Sequence, residues 1–157
     1  MKIDAKIVQK LRQMTGVSVM KCKEALTAVQ GDLDKAVLEL RKQGQAGAEK
    51  KSQRSVKEGM IFSYIHGNGK IGVLLKLYTE TDFVSKNSEF QELGHDIAMQ
   101  IAATDPKYLD KGADKENALL LQEFIKDPQI TVGDLLKDKI NKLGENIKIG
   151  EFIRYEL

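Results

Sequence analysis

The spacing of apolar residues changes near residue 59, and this change is the strongest constraint on the fold. Before it, apolar residues recur at every third or fourth position, which is typical of helices that pack on one face. After it, the stretches "MIFSYIH" and "IGVLLKLYTE" are rich in β-branched and aromatic residues and flank "GNGK", which predicts a β-hairpin. The chain therefore joins a helical region to a region that contains a sheet, and we predict an α+β fold.

Three short helices are predicted over residues 1–44, as a bundle of the ubiquitin-associated type. Each has a side chain before it that can cap its first free N–H groups, and a glycine after it. The caps and glycines are Asp4 and Gly16, Ser18 and Gly31, and Asp32 and Gly44. On the first helix, the apolar residues Ile7, Val8, Leu11 and Met14 share a face. Residues 45–58 are small and charged, which predicts a linker that is helical at its start.

Residues 59–157 are predicted to form a small antiparallel sheet covered by helices. The hairpin and a returning strand over residues 147–157 supply the sheet, and alternation places four side chains of that strand on one side: Ile147, Ile149, Ile153 and Tyr155. Helical patterns follow residue 88 and cover residues 114–126 and 132–143. A sheet of three strands has two open edges, and we expect a second copy of the chain to cover one of them.

The composition of the chain limits its partners. The 25 basic and 23 acidic residues nearly cancel, so no strong field draws the chain onto nucleic acid or a membrane surface. A single cysteine, Cys22, fits a reducing compartment, and no apolar run reaches the length of a membrane span. We therefore expect a cytoplasmic protein without nucleic-acid or membrane partners.

No set of residues in the sequence has the spacing of a catalytic or metal site. The stretch "GNGKIG" matches the glycine spacing of dinucleotide-binding loops, but a strand follows where that motif needs a helix, so a hairpin turn is the better interpretation. His66 and His95 lack the spacing of zinc ligands, and Cys22 lies among apolar helix positions, which favours a packed thiol. We expect no cofactor, no metal and no enzymatic chemistry.

The stretch "ETDFVSKNSEF", residues 80–90, lies where a predicted strand meets a predicted helix. It places Asp82 beside Phe83 at this junction. An exposed phenyl ring is costly in the free protein but valuable as an anchor that a partner buries. Alternatively, Phe83 belongs to the core and Asp82 caps the following helix. The residues alone leave both interpretations open.

Four stretches of the chain resemble the elongation factor Ts family, the bacterial and organellar exchange factors for elongation factor Tu. In order, they are "LRQMTGVSVMKCKEAL", "GDLDKAVLELRKQG", "ETDFVSKNSEF" and "ITVGDLLKDKINKLGENIKIGEFIRYEL". The resemblance covers nearly the whole chain. The chain departs from the family pattern at Lys21, Lys76, Tyr78 and Gly150-Glu151. Long members carry two related core units, whereas this chain has one, which favours a homodimer that supplies two units.

The resemblance implies that the chain is a guanine nucleotide exchange factor that binds elongation factor Tu with GDP. A segment of four residues would reach the GTP-binding domain of that partner, displace its Mg²⁺ and loosen GDP: Thr81, Asp82, Phe83 and Val84. The helical unit would add a second contact through Arg12, Thr15, Gly16, Val19, Met20 and Lys23.

A different class of function is also compatible with the pattern. A three-helix bundle of the ubiquitin-associated type can act as an adaptor that binds a peptide or a ubiquitin-like partner. Such an adaptor would bind through residues 1–44 alone and would not depend on Phe83. An RNA-binding protein is a third possibility, and the near-neutral charge disfavours it.

Overall fold

The computed structural model describes residues 3–157 and confirms the predicted α+β fold. Met1 and Lys2, which begin the predicted helical unit, lie outside the described residues. The first half contains α1 (Ala5–Thr15), α2 (Val19–Ala28), α3 (Leu33–Lys51), β1 (Glu58–His66), β2 (Ile71–Thr79), α4 (Asp82–Ser85) and α5 (Ser88–Thr104). The second half contains a 3₁₀ turn (Leu119–Leu121), β3 (Glu123–Phe124), β4 (Asp127–Thr131), α6 (Val132–Leu143) and β5 (Ile147–Glu156).

The first three helices begin at their predicted caps. The side chains of Asp4, Ser18 and Asp32 accept hydrogen bonds from the backbone N–H groups of residues 6, 21 and 35. Gly16 ends α1 with a φ of 67°, a left-handed conformation that favours glycine. The helices enclose a separate apolar cluster of Val8, Leu11, Cys22, Ala25, Leu26, Ala36 and Leu40, so the Cys22 thiol is packed as predicted.

The third helix was predicted to end at Gly44, but it continues to Lys51. Its extension packs on α6, where a Cβ at Gly44 or Gly47 would lie within 2.9 Å of the Asn141 side chain. Asn141 Nδ2 donates to the carbonyl of Gly44 at 2.5 Å. The glycines serve as a close helix contact rather than as a stop, and Ala48 already belongs to the core of the sheet region.

The main sheet has the order β1-β2-β5, and all its pairs are antiparallel. The helices cover one face, where Leu75 and Leu77 of β2 pack with residues of α5 in a fully buried core that includes Phe90, Leu93, Ile97 and Ile101. The other face carries no helix or strand among residues 3–157. Within the same residues, no helix has the length and apolar character needed to cross a membrane.

Strand β5 reverses its side-chain pattern halfway along, contrary to the prediction for Ile147, Ile149, Ile153 and Tyr155. Ile149 is paired with Leu77 and Phe152 with Leu75, so Gly150 and Glu151 share the place opposite one residue of β2. This β-bulge keeps the first two isoleucines buried but turns Ile153 and Tyr155 to the open face, where they are 43% and 68% exposed.

Residues 114–126 do not form the predicted helix. They form the short 3₁₀ turn and β3, which pairs with β4 as a second, two-stranded sheet. The buried side chain of Gln100 in α5 holds this segment, because its amide donates to Gln122 Oε1 and to the carbonyl of Glu123 and its Oε1 accepts from the N–H of Ile125. Hydrogen bonds to a distant helix thus replace those that a local helix would make.

Candidate functional site

Residues 81–84 form a projecting corner between β2 and α5, which we call the 81–84 tip. Its most prominent group is the ring of Phe83, which is 84% exposed. The neighbouring residues hold the inner side of the short helix α4: Val84 packs against the core, and Ser85 is buried and donates to the carbonyl of Asp82 at 3.0 Å. The structure therefore excludes the interpretation that Phe83 is a core residue.

The Asp82 side chain is exposed beside this ring. Its carboxylate accepts a hydrogen bond from Lys86 Nζ at 2.9 Å, one turn further on, and this contact lowers the pKa of Asp82. The caps of the adjoining helices are Thr81 for α4 and Asn87 for α5, so the alternative role of Asp82 as a helix cap is wrong. Asp82 instead presents a negative charge next to Phe83.

Thr81 faces the opposite way, into the protein. Its backbone N–H and its hydroxyl donate to the carboxylate of Glu145, at 3.0 Å and 2.6 Å. The four predicted site residues thus divide into two groups. Phe83 and Asp82 face solvent, whereas Thr81 and Val84 fix the segment to the scaffold.

The six predicted contact residues of the helical unit lie around the junction of α1 and α2, which we call the α1–α2 corner. Val19 and Met20 are 51% and 73% exposed, and the Arg12 and Lys23 side chains are exposed beside them. Thr15 has a structural role, because its hydroxyl donates to the carbonyl of Leu11 at 2.8 Å. Gly16 forms the turn itself.

Met14 adds to the apolar surface of the α1–α2 corner. The helical spacing placed it with the core residues of α1, but it lies in the last turn and is 56% exposed, and Ile7 is also at the surface. Met14 lies two residues before Gly16, where the helix ends and no further turn can cover its side chain. This position is the feature of the sequence that indicates its exposure.

The end of α6 lies between the two surfaces. Lys142 Cε is 3.4 Å from where a Cβ of Gly16 would lie, and its ammonium donates to Glu89 Oε1 at 2.7 Å. Glu89 also accepts from Lys139, and these two hydrogen bonds lower its pKa to about 2. The α1–α2 corner and the first turn of α5, which follows the 81–84 tip, are therefore connected through one helix end.

The described residues offer no metal site, since no three or more His, Cys, Asp or Glu side chains among them are arranged to hold an ion. Tyr64 OH lies 3.1 Å from His66 Nδ1, and the Tyr64 ring packs edge-on against His95 with 5.6 Å between centroids. Both histidines thus have structural contacts. The exposed apolar surfaces, rather than a polar cavity, are the features that a partner can use.

Comparison with known proteins gives one consistent match. A family profile described as "Elongation factor TS" matches residues 3–114. Elongation factor Ts of Alkaliphilus oremlandii is 42% identical, covering 100% of this chain and 90% of the relative. That of Carboxydothermus hydrogenoformans is also 42% identical, with 99% and 89% covered. That of Fervidobacterium nodosum is 39% identical, with 100% and 99% covered.

These relatives contain additional residues. The alignment with the Alkaliphilus protein spans 195 positions, whereas this chain has 157 residues, so at least 38 positions have no counterpart here. The match therefore covers the whole chain, and within the matched region the relatives contain residues that this chain lacks.

Proposed function

Because the chain belongs to the elongation factor Ts family and so to the proteins of translation elongation, we propose that it is a guanine nucleotide exchange factor for elongation factor Tu. The observation that carries this proposal is the 84% exposure of Phe83 on an anchored tip. The chain performs no covalent chemistry in this role, and it acts in the cytoplasm, where its partner is needed.

An exposed aromatic ring on a fixed backbone suits insertion into another protein. Burial of a phenyl group removes a large apolar area from water, and buried aromatic anchors carry much of the energy of protein interfaces. The tip is already held by Thr81 and Val84, so little conformational freedom is lost when the partner closes around Phe83. The charge of Asp82 beside the ring can accept hydrogen bonds from donors of the partner.

Exchange then follows from linkage between two ligands. A GTPase holds GDP through phosphate and Mg²⁺ contacts with its switch loops. When the 81–84 tip enters the GTP-binding domain and displaces Mg²⁺, the chain weakens GDP binding by the same factor by which GDP weakens binding of the chain. GDP leaves, and GTP fills the empty site.

The α1–α2 corner provides the second contact in this proposal. Met14, Val19 and Met20 form its apolar part, and Arg12 and Lys23 offer positive charges to partner carboxylates. We treat residues 1–44 and 59–157 as two units joined through residues 45–58, since each encloses its own apolar cluster. Two contacts on one scaffold bind more tightly than either alone.

A homodimer is part of the same proposal, and we place its interface on the open sheet face rather than at the sheet edge expected from the sequence. The open face of β1-β2-β5 exposes one apolar set from all three strands, namely Ile61, Ile65, Leu74, Tyr78, Ile153 and Tyr155. Two such faces can pack as a sandwich, which removes this surface from water. Sedimentation equilibrium that shows only the 17.6 kDa species would contradict the dimer.

The exchange activity is tested by release of fluorescent GDP from elongation factor Tu, with and without this chain. The unaltered chain should speed release, and Phe83→Ala should reduce this effect by roughly tens-fold, as expected for loss of an anchor residue. Leu38→Ala removes an exposed apolar residue of α3 and serves as the matched control. If Phe83→Ala and the unaltered chain speed release equally, Phe83 is not the anchor, and if neither speeds release, an adaptor that binds through the helical unit becomes the better explanation.

A further inference from the structure

The carboxylate of Glu145 accepts four hydrogen bonds from the segment that leads into the 81–84 tip. Glu145 Oε2 accepts from the hydroxyl of Thr79 at 2.9 Å and from the N–H groups of Glu80 and Thr81 at 3.2 Å and 3.0 Å. Its Oε1 accepts from the hydroxyl of Thr81 at 2.6 Å. Glu145 follows α6 and is 64 positions from Thr81 in sequence.

These donors lie where the backbone changes from strand to helix. The N–H groups that follow a strand and begin a helix have no partner within either element. The hydroxyl of Thr81, which is the N-cap of α4, does not cap that helix because it is turned toward Glu145. One carboxylate thus satisfies both the backbone and the side-chain donors of the junction, through charge-assisted hydrogen bonds.

The turn that carries Glu145 is itself fixed. Gly144 ends α6 with a φ of 77°, and the side chain of Asn146 is buried and donates to the carbonyls of Ser52 and Arg54 at 3.3 Å and 2.7 Å. The N–H of Asn146 donates to Glu80 Oε1 at 2.7 Å. Glu145 therefore reaches the tip from a rigid support that also holds the end of α3.

We propose that Glu145 is a positioning residue that holds Thr81 so that Phe83 projects in one orientation. This inference rests on the exchange function proposed above. Without the four hydrogen bonds, the junction can rearrange and the Phe83 ring can settle on the protein's own apolar surface. The partner would then have to restore the orientation at the expense of binding, and a small misplacement of an anchor is costly.

The test is a double-mutant cycle between Glu145→Ala and Phe83→Ala, measured as the acceleration of fluorescent GDP release from elongation factor Tu. Glu145→Ala should lower the acceleration about ten-fold or more, and it should add little once Phe83 is already alanine, because both changes remove the same contact. Glu145→Gln should keep part of the effect, since its Oε1 can still accept from the N–H groups. Glu49→Gln, at an exposed position of α3, is the matched control.

Hydrogen exchange of the free chain provides a second, partner-independent measurement. Glu145→Ala should speed exchange at the N–H groups of Glu80 and Thr81 more than at Leu75, which lies in the middle of β2. Should Glu145→Ala fail to fold, Glu145→Gln takes its place in both measurements.

The outcomes separate this inference from the proposed function. If the unaltered chain does not speed GDP release, the exchange function fails, and amide exchange still decides whether Glu145 holds the tip. If the unaltered chain is active but the folded Glu145→Ala variant is equally active, the positioning role is wrong. The positioning role is also wrong if the reductions in exchange activity caused by Glu145→Ala and Phe83→Ala multiply fully in the double variant.

Discussion

The 81–84 tip and the α1–α2 corner both present apolar side chains to solvent, but they are held in place by different means. The α1–α2 corner is stabilised locally, by Ser18, Gly16 and the hydroxyl of Thr15, each bonded to a residue no more than four positions away. The 81–84 tip depends on Glu145, which is 64 positions distant from Thr81. Damage to one surface therefore should leave the other intact, although α6 lies beside both.

The first way to sharpen this comparison is to remove one apolar side chain from each surface. We expect Phe83→Ala to reduce exchange activity by roughly tens-fold, and Met20→Ala to reduce it by about three- to ten-fold, because a side chain at the centre of an interface contributes more than one of several at its edge. GDP release measured for both variants checks the order. The free energy of unfolding should change by less than about 0.5 kcal/mol in either variant, since both side chains are exposed.

The second test weakens the turn that carries Glu145 and so supports the 81–84 tip. Asn146→Ala removes two hydrogen bonds from a buried side chain to the carbonyls of Ser52 and Arg54, and should lower the free energy of unfolding by about 2 kcal/mol. Urea denaturation measures this loss. An unchanged midpoint would show that the turn is fixed by other contacts, and Gln9→Ala at an exposed position of α1 is a control.

The third test uses pH to weaken the ion pairs that Glu89 forms with Lys139 and Lys142. Its pKa lies near 2 in the folded chain, below the ordinary value of 4.5, because Lys139 and Lys142 hold the carboxylate form. The resulting stability is complete above about pH 4.5 and is lost as the pH falls toward 2. Glu89→Gln should therefore be less stable than the unaltered chain by roughly 1–2 kcal/mol at neutral pH, allowing for solvent screening.

Unfolding curves of both chains at several pH values check this prediction. The difference between them should shrink as the pH falls and should be absent below about pH 2, since the carboxyl is then neutral. A difference that stays constant with pH would mean that the charge of Glu89 does not stabilise the fold.

The smallest expected effect is at the α1–α2 corner. Ser18→Ala removes the N-cap of α2, which should lower the free energy of unfolding by about 1 kcal/mol. Hydrogen exchange should become faster in the first turn of α2 and stay unchanged at Thr81. Faster exchange at both places would show that the two surfaces are less independent than their contacts indicate.

The same contrast explains what could be predicted from the sequence. The N-caps of α1, α2 and α3, the hairpin around "GNGK" and the helix over residues 132–143 all depend on neighbouring residues, and each was predicted. The exposed Phe83 was one of two open interpretations, because a pattern of a few residues does not show whether a partner element covers the ring.

Four features that the sequence did not predict depend on distant residues. Helix α3 continues past Gly44 because the Asn141 side chain donates a hydrogen bond to the Gly44 carbonyl. Residues 114–126 are not helical because the Gln100 side chain forms hydrogen bonds with them. The bulge at Gly150 depends on its fit against the Tyr78 ring, whose Cε2 lies 2.5 Å from where a Cβ would be. Glu145 lies in a stretch noted only for its resemblance to a family, and nothing around it indicated which donors it meets.

The continuity of α3 has a consequence for how the chain selects what it binds. A continuous helix that packs on α6 around Gly44 and Gly47 resists bending that would bring the α1–α2 corner and the 81–84 tip nearer or farther apart. The distance between these two surfaces is therefore fixed in the free molecule. Under the proposed exchange function, elongation factor Tu must offer two receiving sites at that spacing at the same moment, so the chain would recognise it in one of its shapes only.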